Sequence, residues 1–156
     1  QFVGAPYIKR SSDLLERVVT LLGLKPGQHP PGIFLREASF EPTSGKWMKK
    51  VCYGLQVHVV DPSKVRSFDF ALALVRACIE LSDGAFAWKD PPYEYDLVTL
   101  PMKLIIGSQK ADRKFIDPNF SIQDTFWHEG LLDFAREAQE ILLYRREHGL
   151  MASPSL

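Results

Sequence analysis

Neither sign of charge dominates this chain. Nineteen Lys and Arg balance nineteen Asp and Glu. A nucleic-acid binder normally carries a basic excess or stripe, and attachment to an anionic membrane also needs one. The balance argues against both. Lys46, Lys49 and Lys50 read as a solvated loop edge. Cysteine is scarce. Cys52 and Cys78 are the only two, too few and too unpatterned for a disulfide scaffold or a metal site. Both read as small buried apolar residues. No apolar run reaches the roughly 18 to 20 residues that span a bilayer, so no membrane span is expected. No signal peptide is recognisable.

Several chemical signatures are missing too. The run GLKPG at 23–27 lacks the lysine and hydroxyl of a phosphate cradle. There is no G-x-S-x-G elbow for a serine hydrolase. The four histidines, His29, His58, His128 and His148, are far apart, with none at i, i+4. A zinc site built from them is not expected. The chain does not open on Met, and we read it as a fragment of a larger protein.

What remains is an ordinary globular composition. Hydrophobic residues make up 46% and charged residues 24% of 156 positions, enough to bury one core. We expect one domain over residues 1–150 and a tail over 151–156. Ser12 and Asp13 are candidate caps for a helix carrying Leu14, Leu15, Val18, Val19 and Leu22, which Gly23 stops. Residues 24–32 are rich in Pro and Gly and read as a loop. Residues 34–40 alternate weakly and read as a strand. Residues 53–60 alternate strongly, with Leu55, Val57 and Val59 on one face and Gln56 and His58 on the other.

Asp61-Pro62 ends that strand. A helix follows over about 68–81, with Ser67 as its cap and a broad apolar surface. Pro91-Pro92 forbids regular helix over 86–95 and favours an extended segment. Pro101 to Ile106 reads as a short helix closed by Gly107, and Ser108 as the cap of another over 109–115. Residues 122–146 read as one long helix. Its core face would hold Phe126, Leu131, Leu132, Phe134, Ala135, Ala138, Ile141 and Leu142, with Gly130 marking a kink or junction. Helices and strands mix without a βαβ rhythm. The fold class is therefore α+β, a mixed or antiparallel sheet covered by helices.

The candidate chemistry lies in two places. PPYEYD at 91–96 offers Glu94 and Asp96 between Tyr93 and Tyr95. In an extended segment both carboxylates would share one side and both tyrosines the other. Paired carboxylates can cleave a glycosidic bond, but they must flank it, and two residues apart on one strand they rarely do. Tyr and Trp can instead stack on a sugar face. A surface loop with tucked aromatics explains the segment equally well. His58 and Gln56 project together from the polar face of the best strand, where hydrogen bonding or plain exposure is the simpler account. Trp47 and Trp88 sit in loops and read as anchors in the core.

The order of motifs resembles a known family. GAPYI, a capped helix, F-x-P-T with a nearby KW, VCYGLQVHVVD, PPYEYD, LPMKLIIG and a closing ILLY follow one another from Phe2 to Tyr144. This order is similar to the C-terminal domain of the YbbC-like family of exo-β-N-acetylmuramidases (NamZ-like). The chain departs from the family pattern at Ser44-Gly45, at Tyr53-Gly54 after the Cys, and at Lys103. The resemblance implies an accessory domain of a bacterial glycosidase acting on peptidoglycan fragments. An N-terminal Rossmann-like domain of the same polypeptide would carry catalysis, and this chain would line the cleft between them. It implies a muropeptide or another N-acetylmuramic acid-containing sugar as ligand, no cofactor, and a cell-envelope location, with the cytoplasm left open. On that reading Tyr93, Glu94 and Tyr95 lie nearest the cleft, with Gln56 and His58 as secondary candidates. All five would contact substrate, and none would be catalytic. The alternative is a stand-alone glycan- or protein-binding module. A third reading is a self-sufficient hydrolase pairing Glu94 with Asp61.

Overall fold

A computed structural model describes residues 1–122 and 131–143 of the chain. The elements run β1 (Phe2–Ala5), α1 (Ser11–Leu21), β2 (Ile33–Phe40), β3 (Cys52–Val59), a 3₁₀ turn (Pro62–Lys64), α2 (Ser67–Glu80), α3 (Pro101–Ile106), α4 (Ala111–Ile116) and α5 (Leu131–Ile141). The chain divides into two units, Gln1–Ile122 and Gln123–Leu156. The class is α+β.

The first unit is built on an antiparallel sheet of order β1-β3-β2. The strongly alternating strand, β3, lies in the middle. That position suits it, because a central strand needs partners on both edges and a buried face. Leu55 is fully buried, and Ile33, Leu35 and Ala5 are nearly so. They meet Leu14 and Val18 of α1 and Ala73, Leu74, Ala77 and Cys78 of α2 in one core. Fully burying a Leu or Val side chain stabilises by about 1.5–3 kcal/mol, which makes this shared face the main determinant of the register.

The N-terminal strand β1 is not anticipated by the sequence reading. Its Gly4 faces Gly54 of β3. A Cβ on Gly54 would stand 2.0 Å from the Val3 carbonyl oxygen, so the two backbones approach closer than any side chain allows. Ser11 then ties α1 to the sheet. Its hydroxyl accepts from Gly54 N–H at 3.1 Å and donates to the Ala38 carbonyl at 2.9 Å, and these two residues face each other across β3 and β2.

Several boundaries move. Ser12 and Asp13 do not cap α1. They lie inside its first turn, Arg10 stands at the N-cap, and Asp13 pairs with Arg10 at 2.6 Å. Ser67 likewise begins α2 instead of capping it, with Arg66 before it paired to Asp69 at 2.7 Å. In both helices an acid in the first turn meets the positive end of the helix dipole, which replaces a side-chain cap. Pro101–Ile106 is as expected, with Gly107 at φ 72° closing it. The next helix starts at Ala111, because the Ser108 hydroxyl accepts from Lys110 N–H and holds residues 108–110 as a turn. Cys52 and Cys78 are buried free thiols, and burial pushes the Cys78 thiol up to about 11.

The long helix expected from Ile122 does not begin there. Ile122 lies in a turn and is buried in the first unit's core. In the second unit α5 ends at Ile141. Its supposed core face is largely open, with Phe134 62% and Ile141 82% exposed. The amphipathic pattern marks a face, and no described residue of this unit covers it. Phe126, Gly130, Tyr144 and the 151–156 tail lie outside the described residues, as do His128 and His148.

Candidate functional site

The Pro91-Pro92 segment carries no helix, as expected, but PPYEYD is not extended. Tyr93 and Asp96 form an isolated antiparallel bridge. Tyr93 N–H donates to the Asp96 carbonyl at 2.9 Å, and Asp96 N–H donates back at 3.0 Å. Glu94 adopts φ 51°, the left-handed region, and this folds the chain back on itself. The strict two-sided arrangement of carboxylates and tyrosines therefore does not form. Tyr93 is half-buried, Glu94 is exposed, and Tyr95 is 98% exposed.

Asp96 is occupied in a different way. One carboxylate oxygen accepts from Thr99 N–H at 2.6 Å and Val98 N–H at 2.8 Å. These hydrogen bonds, that from Thr99 foremost, hold its carboxyl below the usual range. It is a turn-stabilising carboxylate, fixed by the backbone.

The turn borders an open hollow of about 440 Å³ lined by Tyr93, Glu94, Tyr95, Asp96, Leu104 and Ile105. That volume is within the range of small-molecule sites. The last two residues come from α3, which starts on Pro101 and is tied to α4 by Lys103 and Asp112 at 3.3 Å. Leu97 and Val98 continue the apolar surface, 74% and 84% exposed. Sequence reading missed Leu104 and Ile105, which appeared there only as part of a short helix. The exposed LII run after Lys103 was the available signal.

Gln56 and His58 lie elsewhere. Both project from the sheet face opposite the core, His58 exposed and Gln56 half-buried. The register sets His58 beside Phe34, and Gln56 between Arg36 and Phe2. Arg36 Nη2 donates to Gln56 Oε1. The Phe34 ring lies 4.4 Å from His29 and 6.4 Å from His58, and Phe2 lies 5.3 Å from Phe40. Among the described residues no hydrogen bond, ion pair or ring contact joins this group to Tyr93–Asp96.

Asp61 accepts from Ser63 N–H and the Ser63 hydroxyl and meets Lys64 at 2.8 Å. The Lys64 ammonium, then Ser63, pull its carboxyl down to about 2. Trp88 packs edge-on against Phe86 and Phe115, and Trp47 edge-on against Tyr7. Both are half-buried anchors, as read from sequence. Among the described residues no group of three His, Cys, Asp or Glu is placed to hold a metal. No described helix is long and apolar enough to cross a membrane.

The family described as "Exo-beta-N-acetylmuramidase NamZ, C-terminal" matches residues 1–144. The chain belongs to that family. A curated relative, peptidoglycan beta-N-acetylmuramidase NamZ of Bacillus subtilis (strain 168), is 33% identical over 81 residues. That match covers 52% of this chain and 18% of the relative. A solved structure of a DUF1343 family protein from Bacteroides fragilis NCTC 9343 superposes with a TM-score of 0.66 at 18% identity. It covers 93% of this chain and 35% of that one. The likeness supports the α+β fold. Both relatives extend well beyond the part matched.

Proposed function

We propose that this chain is an accessory domain of an exo-β-N-acetylmuramidase-like glycosidase acting on peptidoglycan fragments. In this reading it packs against an N-terminal Rossmann-like domain of the same polypeptide and lines the substrate cleft. Tyr93, Glu94 and Tyr95 contact the sugar and orient it, with Gln56 and His58 as subsidiary contacts. The observation that carries the reading is the exposed hollow at Tyr93–Asp96 in a chain of this family. It combines an aromatic wall, one exposed carboxylate and an apolar floor, the mixture that sugar recognition uses.

The role is contact, not proton transfer. Asp96 and Asp61 are both held below the usual carboxylate range, while a general acid needs the opposite shift. The chain alone is expected to hydrolyse nothing, and turnover of a chromogenic muramic acid glycoside by it would refute that. The direct test is titration calorimetry with N-acetylmuramic acid and a muramyl disaccharide. Binding that Tyr93→Ala abolishes supports a subsite here. Binding unchanged by Tyr93→Ala removes the turn from the site.

One observation favours a second reading, a stand-alone binding module. Tyr95, Leu97, Val98 and Ile105 form an exposed apolar surface of the kind that binds partners. A reading frame with a different neighbouring domain, in place of a Rossmann-like one, would favour it.

A further inference from the structure

β2 is an edge strand, and part of its edge is open. Alternate residues of an antiparallel strand turn both backbone groups towards the same neighbour. Val57 N–H donates to the Gln1 carbonyl at 2.8 Å on the β1 side, while Ser11 Oγ bridges Gly54 N–H and the Ala38 carbonyl between β3 and β2. Positions 54, 56 and 58 of β3 therefore face β2, and their partners Ala38, Arg36 and Phe34 face back. Ile33, Leu35, Glu37 and Ser39 turn outward. The first two are held. Ile33 N–H donates to the Pro30 carbonyl at 2.9 Å, and Leu35 N–H to His29 Nδ1 at 3.2 Å. Among the described residues the backbone groups of Glu37 and Ser39 have no partner, and both residues are exposed.

Natural sheets close such edges with a Pro, a bulge or a covering segment. The β2–β3 register runs unbroken from Ile33 to Phe40, and the next Pro is Pro42, so neither a bulge nor a Pro blocks Glu37 and Ser39. The other edge strand, β1, spans only Phe2–Ala5.

The open groups are complementary to themselves. A twofold axis at Ala38 sets Glu37 of one copy opposite Ser39 of a second copy. Glu37 N–H then donates to the Ser39 carbonyl, Ser39 N–H donates to the Glu37 carbonyl, and the axis repeats the pair. Ala38 gives the axis a small, half-buried side chain, and Ser11 Oγ holds its carbonyl inward at 2.9 Å. Arg36 falls opposite Phe40, a cation beside a ring. Neighbouring axes are worse, because directly opposed like charges destabilise a sheet. An axis at Glu37 opposes two carboxylates, one at Arg36 opposes two guanidiniums, and one at Ser39 opposes Glu37 to Glu41. The Arg36 axis also sets Glu37 against Leu35, whose N–H His29 already holds.

We propose that β2 is a self-association edge. Two copies of the chain join antiparallel at Ala38 into a continuous sheet of order β1-β3-β2-β2-β3-β1, an isologous contact. The Tyr93 hollow takes no part in it.

The test is sedimentation equilibrium of the whole 156-residue chain across a range of concentrations. The mass should rise from 17.7 kDa towards twice that value, and the Glu37 and Ser39 amides should exchange more slowly as it does. Ala38→Lys sets two ammonium groups across the axis and should weaken the dimer by about tenfold or more. Ala38→Cys should form a covalent dimer under mild oxidation. A non-hydrogen-bonded antiparallel pair holds its Cα atoms about 4.5 Å apart, within disulfide reach. Ser39→Cys should not, because the axis offsets the two copies of residue 39 by about 7 Å along the strand. The two cysteine variants decide the register even where Ala38→Lys fails to fold. A constant 17.7 kDa with no cross-link would overturn the proposal. A dimer indifferent to Ala38→Lys, or cross-linked as readily through Ser39→Cys, would overturn it by placing the contact elsewhere. Slow exchange at Glu37 and Ser39 in a chain that stays monomeric would overturn it too, and would assign the edge to a different strand.

Discussion

Removing the Glu80 carboxylate should cost about 3 kcal/mol of stability. Glu80 closes α2 and is shared by two arginines. Arg76 Nε donates to Glu80 Oε1 at 2.7 Å from one turn back on the same helix. Arg17 of α1 forks onto the same carboxylate through Nε and Nη2, the latter at 3.0 Å. The two pairs are not equal. The Arg76 side chain is 8% exposed, and its Nη1 donates to the Phe115 carbonyl while the guanidinium lies 5.4 Å from the Phe120 ring. The Arg17 side chain is 39% exposed, so solvent screens it and its share is about 0–1 kcal/mol.

Glu80→Ala would leave Arg76 as a buried cation without its counter-charge, a change that typically costs about 3–5 kcal/mol. Glu80 is itself 23% exposed, which lets water reach the gap and places the expectation at the lower end. With a urea m-value of about 2 kcal/mol/M, the unfolding midpoint should fall by about 1.5 M. Arg17→Ala should move it by less than about 0.5 M. Urea unfolding followed by far-UV circular dichroism reads both variants. Equal small shifts would refute the unequal partition and show that Arg76 is solvated in solution.

Ser11→Ala strips the Gly54 N–H and the Ala38 carbonyl of their shared hydroxyl and should cost about 1–3 kcal/mol, lowering the melting temperature by several degrees. An unchanged melting curve would mean that the two strands close the gap themselves. Gly54→Ala forces a Cβ against the Val3 carbonyl oxygen. It should release β1, read as faster hydrogen exchange at Val3–Ala5 with β2 still protected. For Glu80, burial raises the carboxyl pKa, but hydrogen bonds from Arg17 and Arg76 outweigh it and the net shift is downward. Its contribution is therefore present above the unfolded value of 4.5 and lost as pH falls through the folded one, and Glu80→Ala should flatten that part of the acid-unfolding profile. The Asp61 carboxyl should titrate near 2 by carbon NMR, and a midpoint near 3.8 would remove the Lys64 and Ser63 contacts.

Periodicity made the middle of the fold legible. In β3 Leu55 is fully buried and His58 exposed, although Cys52 on the His58 face is also buried and Val59 on the Leu55 face is 57% exposed, and α2 is apolar because it closes the same core. What periodicity misses are contacts between distant residues. The cap candidates in sequence are Ser12 and Asp13, yet the hydroxyl that ties α1 down is that of Ser11, taken by strands 27 and 43 residues away. Glu80 lies 63 residues from Arg17, and nothing local marks the pair. Pro91-Pro92 favours an extended segment here, and no Gly or Asn announces the left-handed residue of the Tyr93–Asp96 turn, a role that Glu94 takes. The exposed apolar face of α5 shows the converse. An amphipathic pattern identifies a face but not what lies against it.

The same distinction bears on the site. Local sequence pairs Glu94 with Asp96 and suggests two carboxylates for acid–base work. The fold separates their roles, giving Asp96 to the Thr99 and Val98 amides and leaving Glu94 exposed beside Tyr95. Glycoside hydrolysis needs two carboxyl groups about 5–9.5 Å apart on either side of a bond, and one of them must hold its proton near neutral pH. Two backbone amides on one Asp96 oxygen favour its charged form, the opposite of what that acid requires. Turn geometry thus gives Asp96 to backbone amides and leaves Glu94 exposed, so the two carboxylates that lie together in sequence are not equivalent in the fold.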